Sequence, residues 1–272
     1  MINKTNEEDF KKNDVKFSIL TPCLNNAKSI TKTIESIISQ TYQNWEHIIV
    51  DGGSTDGTVD IIRNNMARYG NRLIFISEPD RGPNEAIRKG LRIISGKLVG
   101  FLGSDDWYEN NALEIVKNAY STAPNYDVYY GIVRVLNDKG TELFLHRISH
   151  HILTQESIRY PACFIDSSVY KRIEWNNHPK SITDDYAFLL ELFFKGGSFL
   201  PLNNILVNFS SNGRSSKYIL KGIIERIWLH QKHGIITKNQ AYFRVYKILF
   251  KYSIRTIFIF FIRGFAALKK IC

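Results

Sequence analysis

Cysteine, methionine and proline are scarce in this 272-residue chain, at three, two and seven residues. Cys23, Cys163 and Cys272 are scattered and odd in number, which gives neither a disulfide framework nor a zinc site. A reducing cytosol is the expected compartment. No GxGxxG follows the first apolar run and no GxxxxGK[ST] occurs anywhere, so neither dinucleotide nor P-loop chemistry is indicated. The apolar run Thr256 to Ile262 falls far below the roughly 20 residues of a membrane-spanning helix. Residues 1–14 are polar and lack an apolar h-region, so no signal peptide is expected. There is no internal repeat and no low-complexity segment.

Charge is present but unevenly placed. The formal net charge is +10, yet Gly213 to Cys272 holds 13 Lys/Arg against the single acid Glu225. Residues 1–212 are therefore close to neutral, and the last sixty residues form a basic appendage. Such asymmetry points to a polyanion or an anionic membrane surface as the neighbour of the tail.

Apolar runs alternate with helical repeats in the first part. Phe17–Thr21, Glu46–Val50, Arg72–Ser77 and Lys97–Leu102 read as strands. Ser29–Gln40, Thr58–Tyr69 and a stretch opened by Pro83 read as helices between them. This rhythm predicts an α/β fold with a mostly parallel central sheet. After Asp106 the rhythm changes: a helix over Asn110–Tyr120, a hairpin over Asp127–His146 turning at Asn137–Gly140, a helix over Asp184–Phe194, an extended Phe199–Phe209, and helix from Lys217 onward. The expected organisation is a polar extension (1–14), an α/β domain (15–212, with halves 15–108 and 109–212) and a basic amphipathic helical tail (213–272).

Two of the apolar runs end abruptly in carboxylates, at Asp51 and at Asp105-Asp106. The C-terminal ends of buried parallel strands are where α/β proteins place ligands. Asp51, followed by Gly52-Gly53, could face a planar base or cap the following turn. Thr21-Pro22 closes the first strand and would lie beside it. Adjacent acids such as Asp105 and Asp106 repel unless something neutralises them. A hard divalent cation shared with a diphosphate does so, and Asp51 upstream favours that reading over simple helix capping. Asp184 and Asp185 open a predicted helix, where acids suit the macrodipole; a general base is the other reading, and spacing alone does not choose. His150-His151 point in different directions on any regular element and do not read as a metal pair.

Taken together, Thr21-Pro22-Cys23-Leu24-Asn25, VDGGSTDGT from Val50, SEPDRG from Ser77 and FLGSDDWY from Phe101 resemble the bacterial family 2 glycosyltransferases of GT-A fold, over roughly residues 17–210. The resemblance implies an inverting transferase that uses a nucleotide-diphosphate sugar, with a uridine diphosphate donor expected, and Mn²⁺ or Mg²⁺. It implies donor contacts from Thr21, Pro22, Asn25, Asp51, Gly52, Ser54, Asp80, Arg81, Ser104 and Asp105. It assigns the cation to Asp105 with Asp106, and the catalytic base to Asp185. Tyr160, Asp184 and Arg214 are acceptor-side candidates, Tyr160 by stacking on a sugar and Arg214 on a loop over the diphosphate. Two positions depart from the family pattern: Gly103 stands where the first acid of the DXD motif is expected, and Arg88 where Asn is common.

In the tail, Arg244, Lys247, Lys251 and Arg255 recur at helical steps beside Phe243, Tyr246, Phe250, Ile254, Phe258, Phe261 and Phe265. A basic stripe next to an aromatic one suits a helix lying in a membrane interface; packing of the aromatics on the catalytic domain is the plainer alternative. The expected acceptor is then a lipid-linked glycan on polyprenyl diphosphate, in O-antigen or capsule synthesis. The expected location is the inner face of the cytoplasmic membrane. The rival readings are a nucleotidyltransferase, a nucleic-acid-binding protein using the tail, and a degenerate transferase. A net-negative first part argues against nucleic acid as a partner.

Overall fold

Every position of strand β2 (Trp45–Asp51) is buried, so the run WEHIIVD is covered on both faces. The computed structural model describes residues 14–175, 181–211, 213 and 218–250. Two compact units divide the chain, Met1–Lys217 and Tyr218–Cys272.

The first unit is built on a nine-stranded sheet. Its parallel part runs β3 (Leu73–Ser77), β2, β1 (Phe17–Cys23), β4 (Leu98–Phe101). The connections are α1 (Ile30–Ile38), α2 (Thr58–Tyr69) and α3 (Pro83–Leu91). Ile30, Ile34 and Ile37 recur at helical spacing and are the buried face of α1. α3 lies against β1 at Gly90, where a Cβ would stand 2.0 Å from Leu20, so the close approach requires glycine.

Beyond β4 the sheet becomes mixed. β8 (Cys163–Asp166) is antiparallel to β4, and β6 (Val128–Leu136) is antiparallel to β8. β9 (Phe199–Ser210) runs parallel to β6, and β5 (Trp107–Tyr108) closes the order antiparallel to β9. β7 (Glu142–His146) forms the expected hairpin with β6. Parallel pairing thus holds for the β3-β2-β1-β4 half, and the remainder mixes both senses. The other helices of this unit are α4 (Ala112–Thr122), α5 (Val169–Arg172) and α6 (Asp184–Phe194).

The second unit contains α7 (Ile219–Lys232) and helical residues 238–250. The helix expected from Lys217 onward is interrupted because Gly234 takes φ +71°. Thr237 and Gln240 then exchange hydrogen bonds in a capping box that starts the next helix. Ile227, Ile236 and Ala241 are its small buried core.

At the strand ends opposite the carboxylates, Glu46 ties three segments. It accepts from Lys16 Nζ (2.8 Å), Ser18 Oγ (2.5 Å), Ser95 N (2.7 Å) and Ser95 Oγ (2.6 Å). Burial raises the cost of its charge, but these donors outweigh it and hold the pKa at about 2, below the ordinary 4.5. The stabilisation is therefore complete above pH 4.5 and is lost as the pH falls from 4.5 towards 2. Glu46→Gln should cost about 2 kcal/mol at neutral pH. It should also flatten the acid limb of a urea-denaturation series taken across that range.

Candidate active site

The ends of the parallel strands are in register: Cys23 pairs with Asp51, and Asp51 with Ser77. One carboxylate therefore reaches both neighbouring strands. Asp51 Oδ2 accepts from Gly53 N (3.1 Å), Ser54 N (3.0 Å) and Ser77 Oγ (2.8 Å). Asp51 Oδ1 accepts from the Ser54 hydroxyl and from Cys23 Sγ (3.6 Å). Burial pushes the Asp51 carboxyl up, and these donors bring its pKa below the ordinary value. Its relative exposure is 0%, so the side chain is fully engaged within the turn. The thiol of Cys23 is pushed up by burial and by Asp51, and stays protonated.

Around this knot stand the other donor-side candidates. Thr21 is buried, and its Oγ1 meets His47 Nε2 at 2.9 Å; His47 Nδ1 meets the Tyr69 hydroxyl at 2.7 Å. Burial lowers the pKa of His47 to about 3, so a neutral imidazole fixes the Thr21 hydroxyl. Pro22, in β1, is partly exposed beside it. Asn25 takes φ +54°, donates its N–H to Ser54 Oγ (2.7 Å) and accepts from Thr55 N at Oδ1 (2.9 Å). Gly52 faces Asp80: a Cβ on Gly52 would stand 2.8 Å from Asp80 Oδ2. Arg81 is exposed and forms an ion pair with Glu85 (2.9 Å).

The second group lies after β4. Thr33 on α1 donates to the Asp106 carbonyl (2.7 Å), and Asp106 N donates to Gly103 O (3.1 Å), so the Gly103–Asp106 turn is pinned. Ser104 is buried in that turn. Asp105 Oδ1 and Asp106 Oδ2 lie 3.0 and 2.7 Å from where a Cβ on Gly103 would be. The space of the missing first acid is thus filled by the two acids that follow. Asp106 Oδ1 accepts Ser210 N from β9 (2.9 Å). Burial raises the pKa of Asp105, and burial together with the Asp105 charge raises that of Asp106 further. Asp105 Oδ2 would lie 2.7 Å from a Cβ on Gly213, where the chain returns after β9.

Asp185 sits in the first turn of α6, with Oδ1 accepting its neighbour's N–H, Tyr186 N (2.7 Å). Burial raises its carboxyl to about 6, with the buried Asp184 adding to the rise. Asn84 Nδ2, on α3, donates to Ser181 O (3.2 Å) and ties the donor-side helix to the approach to Asp185. Arg159 was not singled out by the sequence. Its guanidinium lies over the Phe209 ring at 4.5 Å, and its charge lowers the pKa of both Asp106 and Asp185. It stands as a single arginine in a segment without periodicity, so no pattern flags it. Lys32, likewise unflagged, lies over the Trp107 ring at 3.2 Å.

Tyr160 is 3% exposed, with Phe101 at 5.0 Å and Trp175 at 5.4 Å between ring centroids, and its hydroxyl meets that of Tyr170 at 3.0 Å. Its ring belongs to an aromatic core, which corrects the expectation of a sugar-stacking platform. Arg214 lies outside the described residues.

Among the described residues, no group of three or more His, Cys, Asp or Glu converges as a metal cage. The donor set offered by Asp105 and Asp106 suits a hard cation that takes its remaining ligands from water and phosphate oxygens. Their raised pKa values mark a pair of carboxylates short of positive charge, which such a cation would relieve.

Comparison with known proteins bears on the family and the fold. The family described as Glycosyl transferase family 2 matches residues 18–201. A relative from Mycobacterium bovis, named PGL/p-HBAD biosynthesis glycosyltransferase, is 29% identical over 80% of this chain and 86% of its own length. Chondroitin synthase of Escherichia coli is 26% identical over 87% of this chain but only 34% of its own. Among solved structures, S. aureus TarS 1-349 in complex with UDP-GlcNAc superposes with TM-score 0.61 at 18% identity, over 79% of this chain and 66% of that one. The mannosyltransferase PcManGT of Pyrobaculum calidifontis, with GDP-Man and Mn2+, gives TM-score 0.62 at 16% identity, over 82% of this chain and 65% of that one.

Titration of the Asp185 carboxyl by NMR should find a pKa of about 6. Because the Arg159 charge favours the ionised form, Arg159→Met should move that pKa upward; a downward or absent shift would contradict the placement.

Proposed function

Because the chain belongs to glycosyl transferase family 2, we propose that it transfers a hexose or N-acetylhexosamine from a uridine diphosphate sugar to an acceptor hydroxyl, with inversion at the anomeric carbon. The observation that carries this reading is Asp185. A carboxylate with a pKa of about 6 is ionised at neutral pH and basic enough to accept a hydroxyl proton. In the proposed reaction Asp185 takes that proton as the acceptor oxygen attacks the anomeric carbon from the face opposite the nucleotide. The bond to the departing diphosphate breaks in the same displacement, so an α-linked donor gives a β-linked product. Asp105 and Asp106 would hold Mn²⁺ or Mg²⁺. Such a cation, when bound, neutralises charge developing on the leaving diphosphate. Thr21, Pro22, Asn25, Gly52, Ser54, Asp80, Arg81 and Ser104 stay the proposed surroundings of the nucleotide sugar, with Asp51 organising their turn. The TarS complex with UDP-GlcNAc supports a uridine donor, and the PcManGT complex supports a divalent cation.

For the acceptor we infer a lipid-linked glycan met at the inner face of the cytoplasmic membrane. Support comes from helical residues 238–250, which expose Tyr242, Phe243, Tyr246 and Phe250 at more than half of their surface. Lys238, Arg244 and Lys247 lie in the same stretch, with Lys247 Nζ 4.6 Å from the Phe243 ring centre. Aromatic and basic side chains together suit the headgroup region. No helix among the described residues is long and apolar enough to cross a membrane. Lys251, Arg255 and the aromatics after Phe250 lie outside the described residues.

Asp185→Asn should abolish transfer, by about a thousandfold or more, while nucleotide affinity stays within a few-fold. Retained turnover, or a product of unchanged anomeric configuration, would overturn the assignment. Separately, Arg244→Glu with Lys247→Glu should weaken binding to anionic liposomes at low salt by about tenfold or more. Equal partitioning of variant and parent protein would count against the membrane surface.

A further inference from the structure

The described acids at the donor-side strand ends are not equivalent. Asp51 is buried and already accepts from two backbone N–H groups, two hydroxyls and a thiol. A ligand N–H would have to displace one of those donors. Asp56 is engaged as well, by Thr58 Oγ1 (2.5 Å), Thr58 N (3.1 Å) and Ala27 N (3.0 Å). Asp80 differs. Its Oδ1 accepts Gly82 N (2.8 Å), and among the described residues nothing donates to its Oδ2.

Asp80 also occupies a particular place. Gly52 follows Asp51 at the end of β2 and has no side chain, and the Asp80 carboxylate fills that room. Oδ2, Cγ and Oδ1 lie 2.8, 3.0 and 3.1 Å from where a Gly52 Cβ would stand. A carboxylate carried by the β3–α3 loop therefore takes the position of a side chain just after β2. Burial raises its pKa; the Gly82 N–H and the Lys89 charge oppose the rise, and the charges of Glu85 and Asp51 add to it.

We propose that Asp80, rather than Asp51, reads the nucleotide base, and that its single open oxygen selects a base presenting one N–H on its pairing edge. This rests on the nucleotide-sugar reading of the site given above. Uracil and thymine present such an N–H at N3. Guanine presents two adjacent donors and calls for both carboxylate oxygens, one of which is held by Gly82. Cytosine and adenine place a lone pair at the corresponding ring nitrogen, which repels a carboxylate. Sites that hydrogen-bond a ligand group reject analogues lacking it because their own polar atoms are left unpaired.

Substitution by asparagine turns this into a reversal. Gly82 N–H requires an acceptor, so the amide oxygen stays at the Oδ1 position and the amide NH₂ faces the crevice. The test is calorimetric titration of the full chain with UDP, dTDP, CDP, GDP and ADP in the presence of Mn²⁺. The parent protein should bind UDP and dTDP at least about tenfold more tightly than the other three. Asp80→Asn should weaken UDP by about tenfold or more and bring CDP to or above it. Asp80→Ala should remove the discrimination between UDP and CDP without strengthening CDP. Full uridine preference in Asp80→Asn would overturn the proposal. A parent protein that prefers GDP or ADP would overturn it while leaving the nucleotide-sugar site standing. A parent protein that binds none of the five would overturn both.

Discussion

The Asp51 carboxylate is the interaction on which the donor side depends. It closes the ends of three parallel strands by drawing Cys23 from β1 and Ser77 from β3 onto one side chain. The same oxygens hold Gly53 and Ser54, which fixes the turn that follows. Ser54 in turn receives the N–H of Asn25, so the loop after β1 is set by the loop after β2. Buried carboxylates with this many donors are stable as anions, and removing one leaves several donors unpaired at once. With the turn fixed, the Asp80 carboxylate can lie over Gly52 in a defined position.

Elsewhere in the site the electrostatic balance is reversed. Asp105, Asp106, Asp184 and Asp185 are drawn from two elements distant in sequence, and Asp105, Asp106 and Asp185 all carry raised pKa values. Arg159 supplies part of the missing positive charge to Asp106 and Asp185. The contrast with Glu46 is instructive, since that acid lies at the opposite strand ends and is held at about 2 by a lysine and two serines. One end of the sheet is electrostatically satisfied and serves stability. The other keeps Asp105, Asp106 and Asp185 short of compensation, as expected where a cation, a diphosphate or a proton is to be received.

Much of this was legible in the sequence, because buried parallel strands leave uninterrupted apolar runs and the runs at β2 and β4 stop at acids. The four parallel strands and their three helices followed from that rhythm, as did the β6–β7 hairpin from its turn. β5 and β8 were not legible: β5 is two residues long, too short for any periodicity to register, and β8 lies outside the strand–helix alternation that marks the first half. The antiparallel insertions they create made the second half of the sheet mixed. Engagement of Asp51 by Ser77 and Cys23 was hidden too, since those partners lie 26 and 28 residues away and meet it only through strand register. Tyr160 misled because an aromatic beside a proline looks the same whether it stacks on a ligand or on Phe101 and Trp175.

The crevice at the parallel strand ends is proposed to receive a nucleoside diphosphate together with a divalent cation. Thermal unfolding of the intact chain with UDP, with Mn²⁺ and with both tests it most directly. At about a hundredfold excess over Kd, ligand binding adds about 2.7 kcal/mol, roughly 5–10 °C for a domain of this size. UDP and Mn²⁺ together should raise the midpoint by more than the sum of their separate effects. An unchanged midpoint with both present, and with every other nucleoside diphosphate in the same assay, would contradict it.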